Sequence, residues 1–183
     1  MKAKFAERFN QRVQTDLFFL WDPPRTYIML IDECIRYCVT AYLETKTAEE
    51  WMRVVLRVWI RYFGPMRCIA TDQEGAITAD LVAVACEKFG IDREFGGSQG
   101  HTAAPVAERR LAIVKLGALK LWNTVKRTGL QATQDDCVEE ISMATNLMCS
   151  YGGATPAQAL TGVQPRDLYD FENKSLSSSS GVI

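Results

Sequence analysis

Histidine is nearly absent from this chain: His101 is the only one among 183 residues. A zinc module built on paired histidines and cysteines is therefore excluded. The cysteines contain no CxxC pair, and no apolar segment of the signal-peptide type follows the opening residues MKAKFAERFN. We expect an intracellular location, where the cysteines stay reduced and mostly serve as core residues.

An excess of positive charge is also missing, because 21 lysines and arginines are matched by 22 aspartates and glutamates, for a net charge of −1. Proteins that coat nucleic acid in general usually gain affinity by neutralising many phosphates. Any DNA binding by this chain must therefore come from a local basic patch. The length of 183 residues and the hydrophobic content of 48% suffice for one domain with a sizeable core.

Apolar periodicity and turn signals predict an alternating series of strands and helices. Three strands come first, then a helix opened by a Thr47–Glu50 capping box, then a strand, a helix capped by Thr78, a short strand and two long helices. The strands are predicted at residues 13–20, 27–31, 37–43, 66–71 and 91–95, and the helices at 47–64, 78–90, 105–127 and 133–150.

Three acidic residues lie at positions where the presence of an acid requires a physical explanation. Asp16 interrupts an apolar strand, where it must be paired, hydrogen-bonded or metal-bound unless it faces solvent. Asp72 follows the apolar string Cys68–Ala70 at the end of a strand, although plain turn aspartates are common there. Glu108 lies in the first turn of a helix, a position that the helix dipole alone would favour.

Taken together, the three acids predict a metal site. If Asp16, Asp72 and Glu108 converge, they could act as catalytic ligands for two Mg²⁺ ions, with Mn²⁺ as a substitute, in phosphoryl transfer. The neighbouring acids Asp32, Glu74 and Asp80 are interpreted as turn or surface residues.

The helix that begins near Glu108 carries a basic line. At 100° per residue, Lys115 and Lys126 lie about 20° and 0° from Glu108 around the helix, and the rise to Lys126 is roughly 27 Å. Arg109 adds positive charge beside them, so a DNA contact is predicted; the alternative is an ordinary solvated face. One apolar stripe of this helix should face the sheet and comprises Leu111, Val114, Ala118, Leu121, Trp122 and Val125.

The strings VQTDLFFL, CIATDQEG and APVAERRLAIVK occur in this order, and residues 73–107, 35 in all, separate Asp72 from Glu108. This pattern resembles the catalytic core of retroviral and retrotransposon integrases over residues 9–168. The resemblance implies an α/β ribonuclease H-like fold, with a five-stranded mixed sheet flanked by helices. Residues 1–8 would form an N-terminal extension, and residues 169–183 a disordered tail.

The resemblance also implies partners and further contacts. The Gly/Ser/Gln stretch before the long helix resembles the mobile loop by which integrases approach a DNA end, so Ser98, Gln99 and His101 are candidate DNA contacts. A homodimer or higher homo-oligomer is expected, and the location should be nuclear when the chain acts on DNA. One departure is Ala104-Pro105, where related retrotransposon sequences commonly place Asn-Gly.

Three functions remain open at this point. The first is a Mg²⁺-dependent polynucleotidyl transferase that trims DNA 3′ ends and joins them to target DNA. The second is a ribonuclease H-like nuclease that stops at cleavage. The third is an inactive or domesticated core that binds DNA or dimerises without catalysis.

Overall fold

The computed structural model describes residues 6–71, 80–95 and 105–163. Its strands are β1 (Arg12–Leu20), β2 (Arg25–Asp32), β3 (Cys38–Leu43), β4 (Cys68–Thr71) and β5 (Asp92–Phe95). Its helices are α1 (Ala48–Val55), α2 (Arg61–Phe63), α3 (Asp80–Phe89), α4 (Pro105–Thr128), α5 (Gln134–Met148) and α6 (Pro156–Thr161). The predicted order is confirmed, and α6 is an addition. The predicted tail and the Thr78 cap lie outside the described residues.

The strands form one five-stranded mixed sheet in the order β3-β2-β1-β4-β5. Strand β1 pairs antiparallel with β2 and parallel with β4, and β5 continues the parallel half. The sheet is therefore that of the predicted ribonuclease H-like fold. The central strand β1 contains Asp16, and its parallel neighbour β4 ends at Thr71, the residue before Asp72.

The sheet is covered on both faces because successive side chains of each strand point to opposite sides. On one face, Val13 of β1 packs in a core that includes Trp51, Trp59 and Val82 from the α1–α3 side. On the other face, Phe18 of β1 packs in a core with residues of α4 and α5, among them Val114, Ala118 and Val138. The result is a helix–sheet–helix sandwich in which β1 contributes to both cores.

The first helical segment confirms only part of the predicted capping box. Thr47 caps α1 by accepting from the Glu50 backbone N–H at 3.3 Å, as predicted. The reciprocal bond of a capping box does not form, because the Glu50 carboxylate instead accepts from Arg53 at 2.7 Å. The helix then passes through a π-helical turn (Leu56–Ile60) into α2. Tyr62, predicted as part of the apolar face, is 71% exposed.

Helices α4 and α5 approach each other closely. A Cβ placed on Gly117 of α4 would lie 2.7 Å from Cγ2 of Ile141 in α5, so the glycine permits this contact. In α5, the Asn146 side chain accepts from the Cys38 N–H at 2.8 Å and donates to the Cys38 C=O at 2.7 Å. These bonds fasten α5 to strand β3. No helix among the described residues is long and apolar enough to cross a membrane.

Candidate active site

Asp16 lies on the face of the sheet that α4 covers. Two residues before it, Gln14 contacts α4, and two residues after it, Phe18 belongs to the core beneath α4. Alternation along the strand therefore places Asp16 on the same face. Asp16 is half-buried and pairs across the strands with Met29 of β2. The predicted position of Asp16 inside a strand is confirmed, and its role as a metal ligand stays a prediction.

Gln14 attaches the start of α4 to β1. The first N–H groups of a helix have no partner within the helix. The Oε1 atom of Gln14 accepts from two of them, the N–H of Val106 at 2.9 Å and that of Ala107 at 3.1 Å. Gln14 is completely buried. The residue that follows Ala107 is Glu108, so this cap fixes the helix turn that carries the predicted catalytic glutamate.

A buried ionic network holds Gln14 from the other side. The Nε2 atom of Gln14 donates to the buried Glu33 carboxylate at 2.6 Å, and Arg12 forms an ion pair with the same carboxylate. Arg12 also contacts Glu94 of β5 at 2.7 Å. Burial is the largest single effect on the Arg12 pKa and lowers it, but the hydrogen bonds to Glu94 and Glu33 and the attraction of these charges together outweigh burial, so the pKa is raised. The network links β1, β5 and the turn after β2 to the start of α4.

Glu108 and the basic line follow the predicted helix geometry. Glu108 is exposed in the first turn of α4, which runs without interruption to Thr128. Lys115 is half-buried, with its Nζ atom 5.7 Å from the centre of the Phe18 ring on β1. Lys126 is exposed, and its Nζ atom lies 5.9 Å from the centre of the Trp122 ring. Arg109 is exposed beside Glu108.

The register of β1 and β4 relates the two aspartates. Thr15 is the register partner of Thr71, and Gln14 that of Ala70. In the sequence, Asp16 follows Thr15 and Asp72 follows Thr71. Asp72 itself lies outside the described residues, as do Ser98, Gln99 and His101. Within residues 6–71, 80–95 and 105–163, no group of three or more His, Cys, Asp or Glu residues is arranged to hold a metal ion.

The donor set nevertheless suits a hard cation. Carboxylate oxygens are the ligands that Mg²⁺ prefers, and two of the three predicted acids are on described elements that Gln14 joins directly. Asp16 is on the covered face of β1, and Glu108 is open to solvent in the adjoining helix turn. A metal held between them would be reachable by a large substrate.

Sequence reasoning missed three polar residues near this region. Gln14 and Arg110 are buried, and Arg110 interrupts the buried face of α4. Asp32 was interpreted as a turn or surface acid; it does lie at a turn, where it accepts from the Ile35 N–H at 2.8 Å, but it is fully buried. Burial raises the Asp32 pKa, while hydrogen bonds from the backbone lower it less. The signal for Gln14 was available, because it is a polar residue inside an apolar strand.

Solved structures of retroviral integrases share this fold. The chain matches one chain of the simian T-cell lymphotropic virus intasome, in complex with PP2A regulatory subunit B56 gamma, with a TM-score of 0.77 and 15% identity. The match covers 90% of this chain and 59% of that chain. It also matches the HTLV-2 integrase catalytic core domain in complex with magnesium, in its trimeric form, with a TM-score of 0.69 and 17% identity over 82% of this chain and 95% of that one.

The catalytic core domain of BIV integrase gives a TM-score of 0.67 at 15% identity, over 92% of this chain and 99% of that one. No family model and no curated protein matches the sequence. The comparisons show the ribonuclease H-like fold of integrase catalytic cores. This chain spans 59% of the length of the intasome chain that it matches.

Proposed function

We propose that this chain is the catalytic core of a retroelement integrase, a metal-dependent polynucleotidyl transferase that trims DNA 3′ ends and joins them to target DNA. The observation that carries the proposal is the attachment of α4 to β1 through Gln14, which brings the turn of Glu108 to the strand face of Asp16. The parallel register, in which Thr15 opposes Thr71, supports the addition of Asp72 to the same group.

Each acid has a distinct position in the proposed site. Asp16 would bind metal from the covered face of β1, and Glu108 would bind it from the solvent side of α4, with Asp72 as the third ligand. Bound Mg²⁺, in two ions, supplies activation of the attacking oxygen and stabilisation of the leaving oxygen in an in-line displacement. Gln14 acts as a positioning residue, because it fixes the start of α4 without reaching the reacting atoms.

The proposed DNA surface follows α4 away from the acids. Lys115 and Lys126 lie along the Glu108 side of the helix, and Arg109 extends the charge at its start. Contact between Lys115 and the Phe18 ring limits the freedom of that side chain, which favours a defined position for its charge. Ser98, Gln99 and His101 complete the proposed contacts. A chain that acts on DNA in this way would be nuclear.

Self-association is part of the proposal. Solved HTLV-2 integrase cores occur in dimeric and trimeric forms, which supports a homo-oligomer here. Trp51 and Trp59 are 1% and 0% exposed and belong to the core, so they do not form such an interface.

The catalytic proposal is tested with labelled DNA duplexes that carry a retroelement end, in Mg²⁺ or Mn²⁺. We expect 3′ trimming and strand-transfer products from the wild type. Glu108→Gln should lose both activities but keep DNA binding, because it removes a metal ligand and a negative charge near phosphate. Cleavage without any joined product would instead identify a nuclease, and DNA binding without any product would identify a non-catalytic core.

The DNA surface is tested with two exposed lysines of the same helix. Lys126 is on the Glu108 line, whereas Lys120 is about 120° away from it. Lys126→Glu should weaken binding to a duplex end and reduce the slope of log affinity against log salt by about one unit. Lys120→Glu is the matched control, measured by fluorescence anisotropy. Equal effects of both variants would show that only the net charge matters and that the line is not a DNA contact.

A further inference from the structure

A cleft rich in arginine lies on the flank of α4 that faces away from Glu108. It has a volume of about 260 Å³ and is lined by Arg36, Arg109, Arg110 and Tyr151, with Ile31 and Ile113 among the apolar residues. At 100° per residue, Ile113 and Arg110 lie about 140° and 200° from Glu108 around the helix. The cleft is therefore separate from the proposed metal site and opens on the α5 side of α4.

Arg110 places a buried positive charge at this cleft. Its side chain is 3% exposed, and its Nη1 atom is buried without a hydrogen-bond partner. Within the described part of the chain, no carboxylate forms an ion pair with it. A buried guanidinium without a counter-charge is unfavourable, because burial removes hydration that neutral hydrogen-bond acceptors replace only in part. An anion in the cleft would supply the missing counter-charge.

The Tyr151 hydroxyl connects the buried Arg110 to the open side of the cleft through a hydrogen bond. The Nη2 atom of Arg110 donates to the Tyr151 hydroxyl at 2.9 Å and to the Arg36 carbonyl oxygen at 3.2 Å. Because the hydroxyl accepts this bond, its own proton remains for donation, and no described residue accepts it. Tyr151 is 44% exposed, so a ligand can reach the hydroxyl. A donor polarised by an adjacent cation forms stronger hydrogen bonds to anions.

We propose that this cleft binds a carboxylate carried on a short apolar group. The carboxylate would accept from the Tyr151 hydroxyl and from Arg109, while Arg110 neutralises its charge from behind. The apolar part would pack against the exposed side chain of Ile113, which a bare phosphate group could not use. Two sources offer this chemistry, an acidic side chain next to an apolar residue in a peptide, and a small organic acid.

The test is an NMR titration of the ¹⁵N-labelled chain with two probes, the blocked dipeptide acetyl-Leu-Asp-amide and 4-methylpentanoate. We expect chemical-shift changes centred on the amides of Arg109, Ile113 and Tyr151. Tyr151→Phe removes only the hydroxyl and should weaken binding about tenfold, the effect of one hydrogen bond to a charged group. Arg109→Gln should weaken it as well. Arg127→Gln, an exposed arginine at the far end of the same helix, is the matched control and should bind within about twofold of wild type.

The outcomes separate the alternatives. Tighter binding of the dipeptide indicates an acidic peptide segment as the source, and tighter binding of 4-methylpentanoate indicates a small organic acid. Unchanged affinity in Tyr151→Phe, or shift changes elsewhere in the chain, would overturn the proposal. Displacement of both probes by inorganic phosphate would also overturn it, because the cleft would then be a simple phosphate site. A DNA duplex is left out of the competition, since Arg109 also belongs to the proposed DNA surface.

Discussion

At the scale of single residues, buried polar side chains explain how this site is built. Gln14 is a polar residue among the apolar side chains of β1 and forms hydrogen bonds with the start of α4 and with Glu33. Asp16, two residues later on the same face, is half-buried. A polar residue inside an apolar strand requires a partner, and for Gln14 the partner is a helix terminus. The rule that singled out Asp16 in the sequence applies equally to Gln14, which sequence reasoning missed.

We predict that Gln14→Leu lowers the free energy of unfolding by about 2–4 kcal/mol, because two helix N–H groups lose their acceptor and the buried Glu33 carboxylate loses one of its donors. The proposed activity should fall with it, since the turn of Glu108 is no longer fixed. Urea denaturation measures the stability. Gln131→Leu, at an exposed position, should change it by no more than about 0.5 kcal/mol. A similar loss in both variants would show that Gln14 has no special role.

Cys38 gives a prediction for alkaline pH. Burial raises the pKa of its thiol from 9.0 to about 11, and the hydrogen bond with Ser142 lowers it less. The folded state therefore holds the thiol proton more tightly than the unfolded state. The resulting stability is complete below pH 9 and is lost as the pH rises from about 9 to about 11.

We expect Cys38→Ala to make the unfolding free energy less dependent on pH in this window, by about 2–3 kcal/mol. Urea denaturation of wild type and variant at a series of alkaline pH values measures the difference. Identical slopes would show that other groups cause the alkaline loss. In the folded wild type at pH 8, alkylation should modify the half-buried Cys34 and Cys149 well before Cys38.

At the scale of elements, the packing of α4 against α5 depends on one glycine. Gly117→Ala adds helix propensity, but its Cβ would meet Cγ2 of Ile141, which is close to the backbone and cannot move aside easily. We predict a net loss of about 1–3 kcal/mol. In the background of Ile141→Ala, the same substitution should be neutral or stabilising. A double-mutant cycle by thermal denaturation measures this coupling, and additive effects would contradict the close approach.

Element order was predictable from sequence because strands and helices differ in apolar period, and the bounds agree within a few residues. The α4 stripe was also predictable: Val114, Ala118 and Val125 are buried as expected. Two features were not. The π-helical turn in the first helical segment has the same apolar pattern as a regular helix. Arg110 is a charged residue that is buried against Tyr151. The burial of Arg110 depends on contacts with Arg36 and Tyr151, which are distant in sequence.

At the scale of the whole molecule, topology brings together segments that are far apart in the chain. The parallel pairing of β1 with β4 and the attachment of α4 to Gln14 link three segments that begin at residues 12, 68 and 105. No local pattern contains this information, because it arises from strand order and register. The proposed metal site therefore exists only in the folded state, and metal binding should raise the free energy of unfolding.

We predict that Mg²⁺ or Mn²⁺ raises the melting temperature of the wild-type chain, because clustered carboxylates repel one another until a cation binds and only the folded state holds them together. Asp16→Asn and Glu108→Gln should each abolish most of the shift, because each removes a metal ligand. Asp80→Asn, at an exposed acid on the opposite side of the sheet, is the control and should keep the full shift. Thermal melts with and without metal give all four values. If all three variants kept the wild-type shift, Asp16 and Glu108 would not be metal ligands, and the proposed transferase chemistry would lose its physical basis.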